Sequence, residues 1–304
     1  GDCILASGLN NFFNNMESSQ ITFVCGPVPA ELFQFCKNIK NLISLPKQKY
    51  SLHWIQLWRK IIFNKWDIVL DLRGSLISYV LFSKKKFIYK DKYKIKHKVE
   101  TISKLVSNKI LAPSIKINHS IMNKNRYLNQ IIKISNNRKI IMISPSANWI
   151  GKIWPIERFE LLIRKLKKLK EFKKAIFIIV GSKDDENNIL KLFDDKSLNL
   201  FNLVGKTNLA EIFLIMKKID LFIGNDSGLM HLAALANSPT IGLFGPSDSS
   251  KYGPWGKKTM IIKNKSPNEL MGHEGFNPKN VGSLMIHLGV GFVYKNIVEF
   301  YNKL

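Results

Sequence analysis

The segment Phe222-Ile223-Gly224-Asn225-Asp226-Ser227-Gly228-Leu229-Met230-His231-Leu232-Ala233-Ala234 carries the densest chemistry in this chain. It reads as the end of an apolar strand, a tight polar turn and then a helix. Asp226 or Ser227 can supply an N-cap, and Gly228 lets the backbone come close to a ligand. The amides of Ser227, Gly228 and Leu229 open the helix, and with the positive end of its dipole they attract an anion, typically a phosphate. His231 stands little more than one turn beyond Asp226, near the same mouth. On spacing alone, a buried strand–helix–strand unit with a capping Asp and a core His is an equal alternative.

A second polar loop, Ser144-Pro145-Ser146-Ala147-Asn148-Trp149-Ile150-Gly151-Lys152-Ile153-Trp154-Pro155, follows another apolar run and precedes an amphipathic stretch. Lys152 offers a point charge for phosphate, and Pro155 suits the first turn of a helix. Asp184-Asp185 and Asp194-Asp195 are adjacent pairs on expected helices. Successive helical side chains diverge by about 100°, so neither pair makes good joint metal ligands. No Asp-x-Asp motif is present, and no metal site is expected.

Asn225-Asp226-Ser227-Gly228 with His231, followed by Pro239-Thr240-Ile241-Gly242-Leu243-Phe244-Gly245-Pro246-Ser247, closely resembles the signature of glycosyltransferase family 9. These are the ADP-heptose:lipopolysaccharide heptosyltransferases. Lys152-Ile153-Trp154-Pro155, with Phe159 beyond it, resembles the family's Lys-x-Trp-Pro segment. Gly1-Asp2 matches the Gly-Asp of its first strand-to-helix turn. The resemblance implies Asp2 as general base for an acceptor hydroxyl, and Lys152 as the cation on the donor diphosphate. It implies Asp226 for the donor's sugar hydroxyls, with Ser227, Gly228 and Leu229 for its phosphates. His231 would donate to phosphate or brace the turn.

The family often has hydroxyl residues five and four positions before that Lys. Ala147 and Asn148 stand there, with Ser144 and Ser146 slightly earlier, so Ser144, Ser146 and Asn148 are the donor-side candidates. Lys183 takes the place of a ribose-binding acidic residue, and Asp184 follows one position later. In the first half, Asp67-Ile68-Val69-Leu70-Asp71-Leu72-Arg73-Gly74-Ser75 resembles the family strand that ends in an Asp-x-x-Gly turn near the acceptor. Arg73 could hold an acceptor phosphate or carboxylate bidentately beside Gly74. Ile77 stands where many relatives carry Lys, so the acceptor can differ. His97-Lys98-Val99-Glu100 resembles a segment beside the acceptor cleft, and equally reads as a solvated helix start.

These residues need elements to hold them. Short apolar runs without strict alternation occur at 21–24, 68–70, 140–143, 176–180, 221–223 and 240–244. Such runs suit strands covered on both faces of a parallel sheet. Between them, residues 156–170 place Ile156, Phe159, Leu162, Ile163, Leu166 and Leu169 at helical spacing, opposite a Lys/Arg-rich face. Residues 185–193, 208–217 and 228–236 behave similarly. Alternating strands and helices indicate a doubly wound α/β fold.

The polar stretch Ser135-Asn136-Asn137-Arg138 places a domain boundary at 135/136, with an acceptor domain over 1–135 and a nucleotide-sugar domain over 136–304. The resemblance implies the glycosyltransferase-B arrangement: two Rossmann-like domains facing a cleft, with the last helix, about 291–303, free to cross back to the first. Gly1-Asp2 reads like the turn after a strand, so the first strand is expected to be missing from the sequence.

Composition bounds the rest. The 304 residues are 45% hydrophobic, enough for two cores, and contain no apolar run of membrane-spanning length. Cys3, Cys25 and Cys36 have no metal-like spacing and read as small buried hydrophobes in a reducing compartment. The net charge of +25 favours anionic partners, by function or by compositional drift. Lys84, Lys85 and Lys86, with Lys90, Lys92, Lys94, Lys96 and Lys98 and the aromatics Phe87, Tyr89 and Tyr93, form a local basic strip. An anionic glycolipid or leaflet headgroup fits it, and no nucleic-acid motif accompanies it.

The expectation is therefore an inverting, metal-independent glycosyltransferase without a cofactor. It would move heptose from ADP-heptose to an inner-core lipopolysaccharide or lipid A precursor, as a cytoplasmic protein peripheral to the inner membrane. A same-fold enzyme using another nucleotide sugar or glycan is the nearer alternative. A non-catalytic basic protein binding nucleic acid or membrane is the remoter one.

Overall fold

The computed structural model describes residues 1–16, 19–90, 97–118 and 125–304. Lys92, Tyr93, Lys94 and Lys96 of the basic strip lie outside the described residues. Two compact units emerge: an N-terminal unit, Leu5–Asn118, and a C-terminal unit, Gly1–Ile4 with His119–Leu304. The Arg126–Ser135 helix precedes the polar stretch at 135–138 but belongs to the C-terminal unit. Its Leu128 and Ile131 are buried, and the Asn125 amide that caps it also donates to the Glu211 carbonyl at 3.1 Å.

The N-terminal unit contains four short strands: β1 (Thr22–Cys25), β2 (Asn41–Ser44), β3 (Trp66–Asp71) and β4 (Ser83–Ile88). They pair in parallel as β1–β2 and β3–β4, and among the described residues no ladder joins the two pairs. The basic run Lys84-Lys85-Lys86 is part of β4, where its charge hides the strand from a hydrophobicity pattern. Small cores fill the unit. One gathers Ala6, Leu9 and Ile102, and another gathers Leu57, Ile61 and Leu81.

The C-terminal unit is built on β5 (Ile140–Ser144), β6 (Ile176–Ile179), β7 (Leu200–Asn202), β8 (Leu221–Asn225), β9 (Thr240–Leu243) and β10 (Thr259–Ile262). All pair in parallel, in the order β10-β9-β8-β5-β6-β7. Every residue of β5, β6, β8 and β9 is buried, as the continuous apolar runs require. The chain leaves β5, winds outward through β6 and β7, then returns to β8 on the other side of β5. That reversal between β5 and β8 is the topological switch point, where doubly wound sheets open a ligand crevice beyond the carboxyl ends of their strands.

Local packing fixes the helices. In the Ile156–Leu166 helix, Phe159, Leu162, Ile163 and Leu166 are buried, following the expected apolar stripe. The helix stops at Leu166 and not at 170, and Leu169 then packs against the same core from a turn. The expected 185–193 helix is instead one turn, Glu186–Ile189, between 3-10 segments. The Leu209–Met216 helix starts on a capping box in which Asn208 and Glu211 satisfy each other's backbone amides. The last helix, Val290–Tyr301, buries Val293 and Ile297 in the C-terminal core. Gly242 on β9 admits the Gly228–Leu235 helix, because a Cβ there would run into Met230 Sδ.

Candidate functional site

The register decides which loops meet. Ile143 of β5 faces Ile223 of β8, and Ser144 faces Gly224. The two strands thus end level, and the loops at 145–152 and 226–228 emerge side by side at the switch point. Asn225 ties them together. Its amide donates to the Pro145 carbonyl at 2.8 Å, and its oxygen accepts from the Trp154 amide at 3.2 Å. Fully buried, Asn225 spends both polar atoms on the Lys152 loop and leaves none for a ligand.

Lys152 Nζ reaches Asp226 Oδ2 at 2.7 Å, with the two side chains 25% and 8% exposed. The ammonium group has three donors, so this pairing leaves capacity for an anion. The Asp226 amide is used by the Leu243 carbonyl at 3.1 Å. Ser227 is the N-cap of the Gly228–Leu235 helix by backbone geometry, but its side chain makes no capping bond. The first-turn amides therefore point outward with no intrahelical partners. Among the described residues, the buried hydroxyls of Ser144 and Ser227 have no hydrogen-bond partner. Ser144 at the end of β5 and Ser227 at the helix N-cap thus keep their hydroxyls available for a ligand.

Gly1-Asp2 comes to the same place. Gly228 faces the Gly1 nitrogen, and Gly1 lies against His231. Asp2 opens the Asp2–Leu5 helix and is solvent-exposed. His231 is buried in the Gly228–Leu235 helix. The C-terminal unit thus gathers Gly1-Asp2, Lys152, Asp226, Ser227, Gly228 and His231.

The remaining donor-side candidates are less closely held. Ser146 is buried near Gly181, after β6, whereas Asn148 is exposed. Lys183 and Asp184 are exposed in the turn after Gly181, and the Ser182 hydroxyl there donates to Asp185 at 2.6 Å and not to Asp184. Leu229 lies in the first turn of the Gly228–Leu235 helix.

In the N-terminal unit, Asp71 shapes the turn that follows β3. Its carboxylate accepts from the amides of Arg73 at 2.8 Å, Gly74 at 3.1 Å and Ser75 at 2.5 Å. Gly74 has φ +65, the left-handed conformation that favours glycine. Arg73 projects from this turn as an exposed side chain. His97 is the N-cap of the Lys98–Ser103 helix, its Nδ1 accepting from the Val99 amide at 3.2 Å. Tyr89 links the two segments: its amide donates to the Asp71 carbonyl at 2.8 Å, and its ring receives Lys98 Nζ at 4.1 Å.

Two supports were invisible in the sequence. Asn225 looked like one more polar residue of the motif. The stretch around 278–288 grips the Lys152 loop from outside. Trp149 Nε1 donates to the Pro278 carbonyl at 2.9 Å, Ser283 Oγ to the Ile153 carbonyl at 2.5 Å, and Trp154 Nε1 to the Leu288 carbonyl at 2.7 Å. Trp154 is fully buried, packed edge-on against Phe159. Among the described residues, no group of three or more His, Cys, Asp or Glu side chains is arranged to hold a metal ion. Among the described residues, no helix is long and apolar enough to cross a membrane.

The chain is similar to known proteins in sequence and in fold. The family described as glycosyltransferase family 9 (heptosyltransferase) matches residues 54–274. Lipooligosaccharide heptosyltransferase 2 of Campylobacter jejuni is 27% identical over 274 residues, covering 84% of this chain and 81% of its own. Lipopolysaccharide heptosyltransferase 2 of Escherichia coli is 30% identical over 134 residues, 43% of this chain and 38% of its own. Among solved structures, a family 9 glycosyl transferase from Veillonella parvula superposes with a TM-score of 0.79 at 18% identity, covering all of this chain and 94% of that one. The E. coli ADP-heptose lps heptosyltransferase II gives 0.72 at 19% identity, covering all of this chain and 96% of that one. At such identities the superpositions speak for the fold, which is α/β of the glycosyltransferase-B type.

Proposed function

This chain belongs to glycosyltransferase family 9, the heptosyltransferases, and from that premise we propose that it moves a heptose from ADP-heptose to an inner-core lipopolysaccharide acceptor. It is a glycosyltransferase, and its relatives build lipopolysaccharide or lipooligosaccharide. The observation that carries the finer reading is the convergence of Lys152, Asp226 and the Gly228–Leu235 helix terminus at the switch point.

In the proposed reaction, the Asp2 carboxylate takes the proton of an acceptor hydroxyl as that oxygen attacks the anomeric carbon. Attack comes from the face opposite ADP, so the configuration inverts. The bond from the anomeric carbon to the β-phosphate oxygen breaks, and its electron pair leaves with ADP. Lys152 Nζ and the first-turn amides of the helix stabilise the charge growing on that diphosphate. They are preorganised, since Asp226 holds the Lys152 ammonium and Asn225 holds its loop. Lys152 also offsets the Asp226 carboxylate, which would otherwise repel the diphosphate. Asp226 is then free to orient a sugar hydroxyl with its remaining oxygen.

Ser144, Ser146 and Asn148 line the donor's approach from β5, and Lys183 and Asp184 stand where ribose would follow along β6. Two built-in sources of positive potential serve the leaving group, so we infer a metal-independent reaction with no cofactor. Arg73, Gly74 and His97 would receive the acceptor. We place the reaction at the cytoplasmic face of the inner membrane, where a lipid-linked core acceptor would be presented.

The test is direct. Incubation with ADP-heptose and a lipid-free core acceptor should release ADP in step with heptose transfer, at an unchanged rate in the presence of a metal chelator. Release from another nucleotide sugar alone would move the donor assignment. No release from any nucleotide sugar would sink the proposal.

A further inference from the structure

The N-terminal unit carries a surface whose polarity is inverted. In the Ile77–Val80 helix, Ser78 is 1% exposed and spends its hydroxyl on the Ser75 carbonyl at 2.8 Å. Ile77 and Leu81 anchor the segment in a small core, while four apolar neighbours face water: Leu76 is 85% exposed, Phe82 71%, and Tyr79 and Val80 54% each. Contiguous exposed apolar residues of this kind mark an interaction site.

The neighbouring strand supplies the charge. β4 presents Lys84, Lys85 and Lys86 to solvent, and it pairs only with β3 among the described residues. Lys86 Nζ donates to the Tyr79 carbonyl at 2.8 Å, so the basic strand and the apolar helix form one patch. Lys84 is paired with Asp67 at 2.7 Å, which leaves Lys85 and Lys86 as the local cations facing no acid in these contacts. From Leu72 to Lys90 the sequence has no Asp or Glu. Lysines on an open strand edge also discourage edge-to-edge pairing, but that role requires no apolar neighbours.

We propose that the strip formed by Leu76, Tyr79, Val80 and Phe82, with Lys86 beside it and Lys85 on the same open strand, docks on an anionic phospholipid bilayer. Aliphatic and aromatic side chains entering the acyl boundary beneath a basic rim are what such a surface binds. Leu76 and Val80 offer no stacking plane, which disfavours a nucleic acid. The strip also follows immediately on the Arg73-Gly74 turn, so docking would bring the acceptor-side residues to headgroup level. That last point rests on the function proposed above.

Sedimentation of the full chain with vesicles tests the idea. Binding should be strong on mixed phosphatidylglycerol–phosphatidylcholine vesicles and weak on phosphatidylcholine alone. Val80→Ser combined with Phe82→Ser should lower partition by about tenfold. Lys85→Ser combined with Lys86→Ser should lower it by about fivefold per lysine and flatten its salt dependence. Both variants should melt like the parent and turn over a lipid-free acceptor at the parent rate. Equal binding to neutral vesicles, or unchanged binding by the Val80/Phe82 variant, overturns the proposal. So does binding to a single-stranded oligonucleotide that needs the lysines when vesicles do not bind. If vesicle binding follows the expected pattern but lipid-free turnover is absent, the docking surface stands and the proposed activity fails.

Discussion

Removing the Lys152 charge should slow the chemical step and also weaken the fold, by comparable free energies. In Lys152→Ala the ammonium that pairs with Asp226 at 2.7 Å is lost. An ammonium about 4 Å from a diphosphate oxygen contributes about 4 kcal/mol at an effective dielectric of about 20. Water entering the vacated space recovers part of that, leaving about 2–3 kcal/mol. At 1.36 kcal/mol per decade, kcat should fall about 30- to 150-fold. The variant also leaves a largely buried Asp226 carboxylate without its cation, at a cost of about 1–3 kcal/mol in stability. ADP release at saturating ADP-heptose measures the first effect, and chemical denaturation measures the second. The variant Lys152→Ala with Asp226→Ala separates two roles. If Lys152 acts only by neutralising Asp226, removing both should turn over faster than removing Lys152 alone. If Lys152 stabilises the departing diphosphate, the pair stays slow. A drop of less than about threefold in Lys152→Ala, with the protein folded, would refute the placement of Lys152 on the leaving group.

Three further outcomes follow from the same contacts. Asn225→Ala leaves the Pro145 carbonyl and the Trp154 amide unpaired in the core; unfolding free energy should fall by about 2–4 kcal/mol in urea titrations, with kcat falling too as the Lys152 loop loosens. Gly74→Ala forces a Cβ into the left-handed region at φ +65; it should cost about 1 kcal/mol and raise the KM for acceptor while leaving that for donor unchanged. Hydrogen bonds from Ser250 hold the Asp248 carboxyl below its ordinary 3.8, and those from Ser266 hold Glu269 below 4.5. Both groups bind protons more readily when unfolded, so their stabilisation is full above about pH 5 and lost as pH falls through the lowered folded values. Urea midpoints taken from pH 5 to pH 3 should show a smaller decline in Asp248→Asn than in the parent.

Much of the C-terminal unit was legible from the sequence because its signals are local. The run Ile140–Ile143 is apolar on both faces because both faces are covered, and Phe159, Leu162, Ile163 and Leu166 repeat at helical spacing because one face is. The N-terminal unit was harder to read. β4 carries three consecutive lysines, so neither alternation nor an apolar run announces it, and pairing with β3 is what makes it a strand. The exposed Leu76 and Phe82 left no signature either, since exposure is not written in residue type.

By itself the sequence determined the strand–turn–helix units, the cation in one loop and the carboxylate with its helix terminus in another. Each follows from interactions among near neighbours in the chain. Only the tertiary structure decided that Lys152 and Asp226, 74 residues apart, share one ion pair. That depends on β8 returning to the open side of β5, and on a register that ends Ser144 level with Gly224. Strand order and register are set by long-range pairing and by helices covering both faces of the sheet, and no local pattern encodes them.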